Sequence, residues 1–220
     1  AALLCPTSNL GNSSVASLLA EYTEVMNGLK ADAPAFTLTR YQKLPTEHQN
    51  LGALADFILP IIEKYVTSKS ATEAVSYTAG NAEKLPLPDS QYGCLLTDTK
   101  AIKNAYCEVL EDGNYKLVIT LNDELNPPVL SADATSSASI TNSVFDTYDA
   151  LNQITSISEL ALNKIDFNYT DCTAELVYNP DTYEVEALNM TMHIDITADT
   201  LLMEIKARIV DTSEFSGFAY

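Results

Sequence analysis

The sequence predicts an α+β fold in which N-terminal helices pack on one face of a large antiparallel β-meander. Three observations predict it: apolar residues at helical spacing in the first third, an Asp-Gly turn between alternating segments, and a period of two through the last sixty residues. At 220 residues, with 46% apolar and 8% aromatic side chains, the chain is expected to form one domain with a sizeable core.

Residues 1–12 are polar or Gly-containing and are expected to fray, and 13–90 are expected to form a mainly helical layer. Asn12, Ser13 or Ser14 can cap a helix whose apolar positions Val15, Leu18, Leu19, Tyr22, Val25, Met26 and Leu29 recur at three and four. Ala33-Pro34 ends it, and Ala35 to Leu44 reads as extended, with Phe36 and Leu38 on one face. A second helix is expected through Leu51, Leu54, Ala55, Ile58, Ile61, Ile62 and Tyr65, kinked near Pro60. Leu85-Pro86-Leu87-Pro88-Asp89 is a rigid connector.

From 100 to 220 the texture is that of an antiparallel sheet. Segments 100–110 and 114–121 flank Glu111-Asp112-Gly113-Asn114, a hairpin signal because Asp and Gly tolerate the positive φ of tight turns. Tyr115, Leu117, Ile119 and Leu121 share a face, Asn126-Pro127-Pro128 stops the strand, and the Ser/Thr/Ala-rich stretch 131–143 is expected to be a mobile loop. A third helix is expected near 143–155, with Val144, Tyr148 and Leu151 along one side. Beyond it Cys172, Ala174, Leu176 and Tyr178 alternate with polar neighbours up to a turn at Asn179-Pro180-Asp181-Thr182. Leu188, Met190, Met192, Ile194 and Ile196 follow, and then Leu201, Met203, Ile205, Ala207 and Ile209. Such sustained alternation means a sheet with one dry face and one wet face.

The charge is lopsided: 12 basic and 30 acidic side chains give −18, of which residues 101–220 carry −15. That field disfavours nucleic acid and anionic membranes. No run reaches the roughly 20 apolar residues of a membrane helix. The chain starts at Ala1 without Met, which reads as a mature or a trimmed form and is consistent with an export signal already missing. Four cysteines, Cys5, Cys94, Cys107 and Cys172, permit three pairings. In an oxidising compartment Cys94 with Cys107 is the preferred bridge because it ties the incoming loop to the strand that follows; the alternative is free buried thiols. Ala2-Leu3-Leu4-Cys5 superficially matches a lipoprotein cleavage site, with Leu4 where a small residue is expected.

The residues of the chemistry-bearing types do not assemble a catalytic set in the sequence, and no catalytic, metal or cofactor site is assigned. His193 beside Asp195 is the only strand-borne His/carboxylate pair, without a Gly-x-Ser-x-Gly elbow, and it reads as a solvent-facing pair. His48 reads as a loop residue. Asn122-Asp123-Glu124 and Asp195 with Asp199 lack the EF-hand pattern. The absence of Trp argues against sugar cleavage, and seven Gly include no phosphate-cradling loop. On the predicted dry face, Met190, Met192, Ile194, Met203 and Ile205 could line a pocket for a lipid or another apolar ligand, since thioethers adapt to irregular shapes.

The stretch Asn168-Tyr169-Thr170-Asp171-Cys172-Thr173-Ala174-Glu175-Leu176, continued by Tyr178-Asn179-Pro180-Asp181-Thr182, resembles the C-terminal hairpins of uncharacterised secreted or lipoprotein-like proteins of Gram-positive, often gut-dwelling, bacteria. In those hairpins the turn reads like Asp-Pro-Glu-Thr-Gly, whereas here Tyr183 follows Thr182. The expected architecture is similar to that of LolA- and LppX-type lipoprotein carriers, where a curved sheet wraps helices around an apolar cavity. The resemblance covers mainly 100–220 and implies a secreted or cell-surface location and a fold, with no activity. The expectation is therefore a non-enzymatic exported binding or interaction module, holding an apolar small molecule between helices and sheet or docking another surface protein. The alternatives are a hydrolase with a dispersed carboxylate/His site, and a structural module of a surface assembly.

Overall fold

The computed structural model describes residues 11–52, 55–56, 59–60, 73–147, 162–200 and 203–220. Helix α1 spans Gly11–Asp32. Its periodic residues Leu18, Leu19, Tyr22, Val25, Met26 and Leu29 are all buried, and the helix lies against strands β3 (Ile102–Val109) and β4 (Tyr115–Leu121). Ala33, with φ +42 and its amide on the Leu29 carbonyl, closes the helix before Pro34.

Besides α1, the first half also gives strands to the sheet. Strand β1 (Ala35–Lys43) pairs with the last strand, and the short β2 (Val75–Tyr77) pairs with β1. Of the expected second helix, Ala55, Asp56, Leu59 and Pro60 are helical, and 61–72 lie outside the described residues. β5 (Glu124–Leu125), β6 (Leu162–Tyr178), β7 (Val185–Thr200) and β8 (Glu204–Ala219) complete an eight-stranded antiparallel sheet of order β2-β1-β8-β7-β6-β4-β3, with β5 alongside β6. The expected meander is β6-β7-β8, and β1 closes onto it from the N-terminal side.

Alternation places the core. Leu117, Ile119, Leu121, Ala174, Leu176, Tyr178 and Leu188 are fully buried on the face that α1 helps to cover. In β6 the dry positions switch from odd (Phe167, Tyr169) to even (Cys172 onward). The switch falls at a register shift between Thr170 and Thr173, where Asp171 takes φ +45. One extra residue thus keeps both halves of a 17-residue strand facing the core. On the wet face Thr120, Thr173, Thr191 and Thr212 stand directly opposite one another across four strands, with the Thr120 and Thr173 hydroxyls 3.0 Å apart. Such cross-strand pairs help to fix register.

Both predicted turns form. Gly113 at φ +89 closes the β3–β4 hairpin, its amide on the Leu110 carbonyl. Between β6 and β7 the Asn179 side-chain oxygen accepts from the amides of Asp181 and Thr182. Tyr183 holds φ +62, a conformation that favours glycine, with its ring stacked on Tyr178 at 6.0 Å.

The loop 126–144 is pinned rather than mobile. The Glu124 carboxylate accepts from the Ser139 hydroxyl and the Ile140 and Thr141 amides, while the buried Asn142 donates to the Pro128 carbonyl and accepts from Thr147. Thr141–Ser143 is a 3-10 turn and 144–147 is not helical, so the expected third helix does not begin at 143. Residues 148–161 lie outside the described residues. The serine hydroxyls of Ser137, Ser139 and Ser143 bond to backbone here, which helps to satisfy the polar groups of a buried loop.

Candidate functional site

A half-open cavity of about 300 Å³ lies over the dry face where β1, β8 and β7 run side by side. Its floor follows from register. Leu38, Phe215 and Leu188 form one row across the three strands; Arg40, Ser213 and Met190 form the next; Gln42, Asp211 and Met192 form the third. All except Leu188 and Gln42 line the cavity. Its roof is the connector from Glu83 through Pro88, together with Phe145 and Asp146. No residue of α1 lines it.

The roof is held by Lys30, on the last turn of α1. Its buried ammonium donates to the carbonyls of Pro86 (2.9 Å), Leu87 (2.8 Å) and Leu85 (3.5 Å), three acceptors for three protons. Burial pulls its pKa down to about 8, against the opposing pull of Glu83, Asp146 and Asp89. Asn27, one turn earlier, accepts the amides of Gly93 and Cys94. Leu87 takes φ +57, and the Ser90 hydroxyl donates to the Ala134 carbonyl, tying the connector to the pinned loop.

The wall is polar. Asp211, 2% exposed, accepts from Arg40 (3.0 Å) and Gln42 (2.5 Å) on one oxygen. Burial raises the Asp146 carboxyl to about 6; Arg40 and Lys30 pull it down, Asp211 and Asp89 push it up. The cavity therefore joins a thioether and aromatic floor to a charged wall.

Of the five predicted lining residues, Met190 and Met192 line the cavity and Ile194 is buried beside them in the main core. Ile205 and Met203 are elsewhere, in a second small cluster with Leu51, Ala198 and Ala207. The β7–β8 register explains the division, because Ile205 stands opposite Ala198, well down the strands from Met190 and Met192. Arg40, Asp146 and Asp211 escaped the sequence reading. Asp211 stands at the dry parity of Ile205, Ala207 and Ile209, so an acid at an apolar position was the available signal.

His193 and Asp195 lie on the opposite, wet face and do not form a dyad. Arg208 grips the Asp195 carboxylate at 2.6 and 2.7 Å, and Thr170 adds a bond at 3.4 Å. The His193 Nδ1 is buried without a hydrogen bond, and burial and Arg208 lower its pKa. His48 is exposed in a 3-10 turn. Glu124 is taken up by the loop it pins, Asp123 faces Lys103 at 3.8 Å, and no group of three metal-ligating residues occurs among the described residues.

The expected Cys94–Cys107 bridge is not formed. Cys94 is a free, buried thiol that accepts from the Thr23 hydroxyl of α1, which turns it toward the helix, whereas Cys107 is disulfide-bonded. Cys172 is also free, and burial pushes its thiol up to about 12. The expectations for Cys5 fall outside the described residues. Among the described residues no helix is long and apolar enough to cross a membrane. No family model, curated protein or solved structure matches the chain.

Proposed function

We propose that the chain is an exported, non-enzymatic binding module that holds a small molecule with an apolar part in the cavity over Met190 and Met192. The observation that carries this reading is the cavity itself: about 300 Å³, floored by two methionines and by Phe215, under a roof bonded in place by Lys30. Its volume stands at the lower end of the range for ligand sites, which favours a compact ligand over a full-length lipid. Binding is favoured over hydrolysis because Asp195 is engaged by Arg208 rather than His193. The disulfide at Cys107 supports a secreted or cell-surface location, since such bonds persist in oxidising compartments.

Native mass spectrometry of protein purified without detergent tests the reading. A co-purifying small apolar adduct that is lost in Met192→Trp, where the indole fills the cavity, is the expected result. A bare mass, together with no uptake of added short-chain amphiphiles, would contradict it.

A further inference from the structure

We infer that the ligand of this cavity is a cationic amphiphile, an organic amine whose apolar part rests on Met190 and Met192 and whose ammonium head meets the acidic wall. The inference rests on the cavity being a ligand site and adds the chemical class of the ligand.

The charges that line the cavity or act on its wall through the roof are Arg40, Lys84 and Lys30 against Glu83, Asp89, Asp146 and Asp211, an excess of one negative charge. The two cations nearest the wall are already engaged: Arg40 bonds to Asp211, and Lys30 behind the roof gives its protons to three carbonyls. A ligand carboxylate would add to the excess and would have to draw Arg40 away from Asp211. An alcohol would leave the balance unchanged, and an ammonium would cancel it. A charge meeting Asp146 and Asp211 there is less screened than at the open surface, because both carboxylates are largely buried in the protein. At longer range the net charge of −18 concentrates cations and repels anions around the whole protein.

Isothermal titration of the whole chain at neutral pH with n-octylammonium, n-octanol and n-octanoate separates the classes, because the three probes share one tail. The amine is expected to bind at least about tenfold more tightly than the alcohol, with the carboxylate weakest. Asp146→Asn, and separately Glu83→Gln at the exposed rim, are expected to narrow the amine-to-alcohol ratio. An alcohol as tight as the amine, or a carboxylate tighter than both, would overturn the cationic assignment while leaving the cavity as an apolar site. Failure of all three to bind would overturn the binding reading itself.

Discussion

Asp211→Ala removes an anion that is 2% exposed and takes that partner from the Arg40 guanidinium, itself 19% exposed, in the cavity wall. Gln42 loses one acceptor in the same step. Breaking a buried ion pair from one side costs about 3–5 kcal/mol, and the residual exposure of Arg40 places this case near 3 kcal/mol. With a urea dependence of about 2 kcal/mol per molar, the unfolding midpoint should fall by about 1.5 M. The double variant Arg40→Met, Asp211→Leu should recover most of that loss, because two apolar side chains of similar volume need no partner there. Urea unfolding followed by circular dichroism reads both effects. A single variant within about 0.3 M of wild type, or a double variant no more stable than the single one, would refute the assignment of this pair as a buried, mutually dependent element.

Asp146 gives a pH signature. Its folded pKa, raised by burial to about 6, lies above the ordinary 3.8, so its favourable contribution is complete below about 4 and is lost as pH rises through about 6. Asp146→Asn should therefore be more stable than wild type at neutral pH, by up to about 3 kcal/mol, and no more stable at pH 4; a constant difference across that window would contradict the burial argument. Two glycines should respond oppositely to alanine. Gly28→Ala in α1 meets nothing within 4 Å and should stabilise by about 0.5–1 kcal/mol, whereas a Cβ on Gly93 would sit 2.2 Å from the Met26 carbonyl and should destabilise the fold. Thermal melts compare them, and a stabilising Gly93→Ala would refute the close approach of loop to helix. In native protein the buried Cys94 and Cys172 should not react with a soluble thiol reagent, and in denatured protein both should; a native protein labelled at either would contradict their burial.

Much of the sheet was legible in the sequence because alternation over β6, β7 and β8 is long, and a one-residue slip would turn Ala174, Leu176 and Leu188 to water. Both turns were legible because Gly113 and Asn179 do local chemistry that no distant contact has to supply. The joining of β1 to β8 was not legible, since pairing over 170 residues of separation leaves no local mark. The stretch 131–143 misled for a related reason: it reads as a mobile loop until the Glu124 carboxylate is brought to the Ser139 hydroxyl and the Thr141 amide. Part of the cavity floor could be read from Met190 and Met192. Its polar wall could not, because Arg40, Asp146 and Asp211 converge from three distant segments.

The central claim, that the space over Met190 and Met192 receives a ligand, is tested most directly by methyl NMR of the four methionines during titration with n-octylammonium. Met190 and Met192 should shift and broaden together in a saturable way, while Met203, packed in the second cluster, stays in place. Unmoved Met190 and Met192 methyls at saturating amine, or shifts confined to Met203, would contradict the account.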